Sequence, residues 1–321
     1  MKIAFFDPHR DPAEFSSAMR AYPSIEMAMA GDAEQLPAAL AGAEVLVTSN
    51  RIYTPDHAAI IRKHGTSLRW IQMTTSGYDK AVASGFPRGC IVTNMAGLRA
   101  FAVAEHAMAL TLALVRRLRD VERAFSAHEW SRDELSPLMD NLTGKHMTIV
   151  GVGAIGQDIA RKAKAFDMQV TGVTRKPAPL QNFDAMRPRS ELQAQCRLTD
   201  ILMIAATAEP ATEKMISRDI INALPPHAFI VNIARGSLID EPALIEALQN
   251  RRIASAALDV QAQEPVPAAH PLWALDNLLL SPHVGGAGSN GLGATHASML
   301  TGNLDLWIAG KPLKQVVIEK T

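Results

Sequence analysis

Three glycines and three polar side chains carry the chemistry that can be read in this chain of 321 residues. Gly151, Gly153 and Gly156 follow the β-branched run Thr148 to Val150 and are spaced as G-x-G-x-x-G. The first glycine permits a sharp turn. The second has no Cβ, so a pyrophosphate can approach the backbone, and the third lets a helix pack close to the strand. That helix would open at Ala154 and Ile155, pointing N–H groups and a partial positive charge at the phosphates. Its apolar residues Ile159, Ala160, Ala163, Ala165 and Phe166 supply the context the motif needs. Further on, Arg235, Glu264 and His283 each fall at or just beyond the C-terminal end of a predicted strand, the face where open α/β sheets bind ligands. Taken singly, an Arg-Gly or a Glu-Pro is often a turn, and a histidine after proline is more often structural than reactive.

The strand after the glycines normally ends in an acid, roughly 20 residues on, that bonds the ribose hydroxyls. Here it ends Val173, Thr174, Arg175, Lys176, with no carboxylate. Arg175 can pair with a 2′-phosphate in a bidentate fork where an acid would repel it. The pattern points to NADP(H) over NAD(H), with NAD(H) still possible. Alternatively, Arg175 is a surface cation and Thr174 alone meets the ribose.

The positioning elements alternate between strand and helix. Lys2–Phe6, Glu26–Ala30, Glu44–Thr48, Trp70–Met73 and Ile91–Asn94 read as five strands of a small parallel sheet, with helical pieces between them. No glycine-rich loop follows the first of them. The loop Thr74 to Asp79 follows the fourth, and backbone N–H groups near Ser76 and Gly77 could hold a carboxylate. Residues 99–126 read as one long helix with Glu105 and His106 embedded in it as a buried structural pair, and Arg116 to Arg119 suit its C-terminal half. After the glycine motif, Gln169–Thr174, Ile201–Ala205, Phe229–Ile233, Ala256–Leu258 and Leu278–Leu280 complete six strands, with helices at Arg187–Gln195 and Pro242–Asn250. The tail has helical periodicity over Ala294–Ile308. The fold class is α/β: two Rossmann-like or flavodoxin-like domains with doubly wound parallel sheets and a cleft between them. The substrate domain is expected at 1–98 and 288–321, and the dinucleotide-binding domain at 99–287.

With Val103 to His106 and the glycine motif, the segments Val231–Asp240, Ala257–Pro265 and Leu280–Gly286 resemble the D-isomer-specific 2-hydroxyacid dehydrogenases. The resemblance covers nearly the whole chain, with several motifs in the right order. The chain looks like the short glyoxylate and hydroxypyruvate reductases, without the C-terminal extension of long phosphoglycerate dehydrogenases. The resemblance implies that Arg235 binds the substrate carboxylate and polarises the keto oxygen. It implies that Glu264 pairs with His283 and that His283 is the general acid. It puts Asp259 on the nicotinamide carboxamide, Ile233 and Gly286 along the cofactor, and Ser76 and Gly77 on the substrate carboxylate. Arg175 stands as in NADP-preferring members.

Reduction of a keto acid requires these residue types independently. Negative charge develops on oxygen, and arginine is a permanent cation with two donors that fit a 2-keto acid. A proton must arrive near neutral pH, where histidine titrates, and a neighbouring carboxylate favours imidazolium. Two other readings keep the fold: a formate- or phosphite-type dehydrogenase, and a dinucleotide-sensing protein without catalysis. One departure is Ala205 to Ala208, where the family commonly has a leucine- and proline-containing turn on the adenine side. Arg51 or Arg99 could also reach a substrate carboxylate.

Composition sets bounds. Lys plus Arg and Asp plus Glu are 32 each, which gives no support for nucleic acid or an anionic membrane as partner. Cys90 and Cys196 have neither metal-type nor disulfide spacing, so no metal is expected and a reducing cytoplasm suits the chain. The first strand does not read as a signal peptide. The longest helical apolar stretch, Ala107 to Val115, is nine residues, whereas a membrane span needs roughly 20. A homodimer through the Phe101–Arg119 region is the expected assembly.

Overall fold

The computed structural model of the chain describes residues 1–9, 12–288 and 292–319. It divides into two compact units, Met1–Leu98 with Ser289–Thr321, and Arg99–Gly288. Of the returning segment expected over 288–321, residues 289–291, 320 and 321 lie outside the described residues.

The first unit opens with β1 (Lys2–Phe6), β2 (Glu26–Met29), β3 (Val45–Thr48), β4 (Trp70–Met73) and β5 (Ile91–Thr93). They pair in parallel in the order β5-β4-β3-β1-β2, a flavodoxin-like arrangement. β3 and β4 are buried at every residue, as parallel strands covered on both faces must be. Alternate residues feed two cores: Ala4, Phe6, Leu46 and Ile71 face Leu36, Leu40 and Ile61. Ile3, Phe5, Val45 and Val47 face Phe15, Leu300 and Leu304. This is the two-residue period of a strand.

The second unit contains β6 (His146–Val150), β7 (Gln169–Thr174), β8 (Ala185–Pro188), β9 (Ile201–Ile204), β10 (Phe229–Asn232), β11 (Ser255–Leu258) and β12 (Leu278–Leu280). All pairings are parallel, in the order β12-β11-β10-β9-β6-β7-β8. The strand order reverses between β6 and β9, and such a switch point leaves a crevice at the strands' C-terminal ends. Met147 and Ile149 pack on the side of the Ala100–Val115 and Ala154–Lys164 helices. Val150 faces the opposite core, with Ile204, Ile230 and Leu244.

Several expectations need correction. The long helix over 99–126 is two helices, Ala100–Val115 and Leu118–Ser126, parted where Arg117 takes a left-handed φ of 51°. The break aims Arg119 at the strand layer, where Nη1 donates to the Leu278 carbonyl at 2.5 Å. Arg116 donates to the Asp140 carbonyl, so both arginines are tied to neighbouring backbone. The helix expected at Arg187–Gln195 is β8, then a 3₁₀ turn at Arg189–Glu191, then a helix at Leu192–Cys196. β8 therefore makes seven strands where six were expected. The first sheet also gains a sixth strand, β13 (Val316–Ile318), antiparallel to β5. Glu105 is exposed rather than half of a buried pair: its side chain is 67% accessible.

Candidate active site

The glycine turn follows β6 directly. Gly151 has φ 99°, and a Cβ there would stand 2.5 Å from the backbone N and Cα of Ala206, so the turn lies against the segment after β9. A Cβ on Gly156 would meet the Gly151 carbonyl oxygen at 2.1 Å. Both positions require glycine on steric grounds. A Cβ on Gly153 would meet nothing within 4 Å, which leaves the approach to the backbone open. The Ala154–Lys164 helix has no acid in its first turn, and first-turn N–H groups have no intrahelical acceptor. Ala154 is exposed and Ile155 half-buried. The turn therefore fits a pyrophosphate. At the end of β7, Thr174 is half-buried while Arg175 and Lys176 are exposed.

Arg235, Glu264 and His283 come together beyond β10, β11 and β12. Arg235 is extended, at φ −148°. Its Nη1 donates to the Ala234 carbonyl at 2.7 Å. Asn232 braces this turn from both sides: its Oδ1 accepts the Ala234 N–H at 3.0 Å and its Nδ2 donates to the Arg235 carbonyl at 2.9 Å. A Cβ on Gly236 would stand 2.0 Å from the Gln261 carbonyl carbon. The backbone after Arg235 thus rests on the backbone leading to Glu264. His283 Nδ1 lies 2.8 Å from Glu264 Oε2. Burial pushes the Glu264 carboxyl up. The hydrogen bond and charge of His283, the Gln261 N–H and the charge of Arg235 outweigh it and hold the group below the usual carboxylate range.

His283 has a left-handed φ of 55°, uncommon for a side-chain-bearing residue. Asp259 holds it there. The Asp259 carbonyl accepts the His283 N–H at 2.8 Å, Oδ1 accepts the Val284 N–H at 3.0 Å, and Oδ2 accepts the Gly285 N–H at 2.9 Å. Ser281 Oγ also donates to Oδ1. Asp259 is buried, and its carboxylate serves the His283 loop whatever else it binds. A Cβ on Gly285 would meet Asp259 Oδ2 at 2.8 Å. Ile233 is buried at the end of β10. The Gly286 carbonyl accepts from Arg99 Nη1 at 2.9 Å, so Arg99 braces this loop.

The sequence-based site omitted two residues near Arg175. Arg175 Nη1 lies 3.5 Å and Arg189 Nη1 3.4 Å from the same Glu209 oxygen. Reading Arg187–Gln195 as a helix hid Arg189, and Glu209 lay just past the unusual Ala205 to Ala208 stretch.

In the first unit, the loop after β4 is held through its carbonyl groups. Asn94 Nδ2 donates to the Ser76 carbonyl at 2.6 Å and Thr75 Oγ1 to the Gly77 carbonyl at 2.8 Å. Ser76 Oγ donates to the Met95 carbonyl at 2.9 Å. Arg51 is exposed in the turn after β3. No helix among the described residues is long and apolar enough to cross a membrane.

Comparison with known proteins gives one consistent picture. Residues 108–285 match the family model described as D-isomer specific 2-hydroxyacid dehydrogenase, NAD binding domain. The chain is 34% identical over 232 residues to a hydroxyphenylpyruvate reductase of Plectranthus scutellarioides, covering 72% of each. It is 30% identical over 289 residues to a glyoxylate/hydroxypyruvate reductase A of Arabidopsis thaliana, covering 83% of this chain and 90% of that one. Among solved structures it resembles an NADPH-dependent glyoxylate/hydroxypyruvate reductase of Sinorhizobium meliloti in complex with citrate. The TM-score is 0.78 at 28% identity, over 99% of this chain and 97% of that one.

Proposed function

The chain belongs to the D-isomer-specific 2-hydroxyacid dehydrogenase family, and on that footing we propose that it is an NADP(H)-preferring reductase. It turns small 2-keto acids of the glyoxylate and hydroxypyruvate type into D-2-hydroxy acids. The observation that carries this is the 2.8 Å pair of His283 Nδ1 and Glu264 Oε2, in the same unit as an open glycine turn and beside the charge of Arg235. Relatives that reduce glyoxylate or hydroxypyruvate support the substrate class.

When bound, a reduced nicotinamide supplies the hydride for the keto carbon. Arg235 holds the substrate carboxylate and meets the charge developing on the keto oxygen, which a permanent cation does without reorganising. His283 donates Nδ1–H to Glu264, and its Nε2 carries the proton delivered to that oxygen. Glu264 Oε2, 2.8 Å from Nδ1, keeps the ring oriented. In the oxidative direction the same nitrogen takes the proton back.

The remaining assignments follow the family resemblance. Backbone N–H groups of Ser76 and Gly77 bind the substrate carboxylate. Gly151, Gly153, Ala154, Ile155 and Gly156 take the pyrophosphate, while Ile233, Asp259 and Gly286 serve the nicotinamide side. Arg175, with Thr174 and Lys176, takes the 2′-phosphate, the basis of the NADP(H) preference. The assembly proposed is a homodimer in the cytoplasm. A spectrophotometric panel of 2-keto acids, each with NADPH and NADH, tests the reading. The expected result is NADPH oxidation with glyoxylate or hydroxypyruvate. Cofactor binding without turnover on any keto acid would overturn it in favour of a sensor.

A further inference from the structure

We infer that Glu209 is a resident counter-anion that tempers the cofactor preference, occupying the acceptor position of a two-arginine clamp formed by Arg175 and Arg189. The inference rests on the 2′-phosphate assignment made for Arg175.

The three residues come from three separate segments. Arg175 follows β7, Arg189 follows β8, and Glu209 follows β9. Both guanidinium groups approach the same carboxylate oxygen, Oε1, at 3.5 and 3.4 Å. Two arginines converging on one acceptor is the arrangement that recognises a phosphate. This group lies on the cofactor side of the sheet, because the segment from Ala205 to Glu209 passes directly against the glycine turn at Ala206.

Glu209 is not a wandering surface side chain. Its N–H donates to Thr212 Oγ1 at 2.9 Å, and its carboxylate accepts the Thr212 backbone N–H, which closes a capping box. Thr212 is fully buried. Arg189 and Glu209 are 27% and 31% accessible at their side chains, against 69% for Arg175. The carboxylate and Arg189 are therefore the more enclosed part of the group, and Arg175 is its exposed arm. The neighbouring acid Glu191 lies 3.7 Å from Arg187, so Glu209 is the acid that these two arginines share.

A fixed carboxylate affects the two cofactors differently. A 2′-phosphate entering the clamp meets like charge and must compete for both arginines. A 2′-hydroxyl can donate a hydrogen bond to Glu209 with no such penalty. Glu209 thus narrows the NADPH advantage that the arginines alone would confer, and Arg189 is the second cation of the clamp.

The test measures dissociation constants for NADPH and NADH on the full-length protein, by nicotinamide fluorescence, in wild type, E209Q, R189A and R175A. Gln keeps the acceptor that the capping box needs, so E209Q retains the local fold. The expectation is roughly five- to tenfold tighter NADPH binding in E209Q, with NADH unchanged or weaker. R189A should weaken NADPH by a similar factor and spare NADH. A ratio of the two constants that stays the same in E209Q, or moves toward NADH, overturns the inference. If R175A shifts the ratio and E209Q does not, only the role of Glu209 fails. If R175A leaves it unmoved, the 2′-phosphate assignment fails, and this inference with it.

Discussion

His106 Nε2, in the Ala100–Val115 helix, lies 3.2 Å from Asp259 Oδ1 at the end of β11, and 2.9 Å from Ser281 Oγ. A hydroxyl has one hydrogen, and that of Ser281 goes to Asp259. The proton between His106 and this pair is therefore carried on Nε2. The helix supplies a donor to the carboxylate that orders the His283 loop. H106Q keeps a donor near the place of Nε2, whereas H106A removes it. We expect H106A to cost about 1–3 kcal/mol of stability and to lower kcat more than it raises KM, with H106Q recovering most of both. Equal kcat in H106A and wild type would show that the loop holds His283 without this contact.

Removing the imidazole of His283 is expected to lower turnover of a 2-keto acid by at least about 100-fold. Cofactor binding should be preserved, because the glycine turn and the β7 end are separate from this side chain. Steady-state rates and a cofactor titration on H283A check both halves. A loss of less than about tenfold would move the proton-donor role elsewhere.

The Glu264 carboxyl titrates below the usual carboxylate range, so linkage has a definite sign. Its contribution to stability is complete above the unfolded-state pKa and is lost as the pH falls through the lower folded value. The difference in Tm between wild type and E264Q should be full near neutral pH and shrink as the pH falls below the ordinary glutamate range and through the lower folded value. A gap that widens in acid would contradict the assigned direction.

Leu118, Val121 and Phe125 recur at helical spacing on the short Leu118–Ser126 helix, and none is buried. Phe125 is 75% accessible and Trp130 beyond it 93%. Such a stripe begins at Leu118, inside the Phe101–Arg119 region expected to form the dimer, and continues past it; it suits the homodimer proposed above. Light scattering on wild type should give twice the chain mass, and F125E should give the monomer. A monomeric wild type at micromolar concentration would dismiss the assembly.

The sequence made the central parts legible because they are local. The run from Thr148 to Gly156 announces strand, turn and helix, and Arg235, Glu264 and His283 sit in short motifs at strand ends. The parts it concealed depend on partners remote along the chain. β8, Ala185–Pro188, contains proline and shows no apolar alternation, so only pairing with β7 makes it a strand. β13 is three residues long and exists through its antiparallel edge contact with β5. No glycine or proline marks the helix break at Arg117; the contacts of Arg119 with the Leu275 and Leu278 carbonyls accompany it. Glu209 and Arg189 gained meaning only when folding brought them to Arg175.

The bare contact of Gly236 with the Gln261 backbone governs how this scaffold can be recombined. Chimeras that import one catalytic segment from a relative, without its neighbour, would set mismatched main chains against each other with no side chain to trim. Residues 231–240 and 257–265 therefore form one cassette, to be transplanted as a matched pair or left alone.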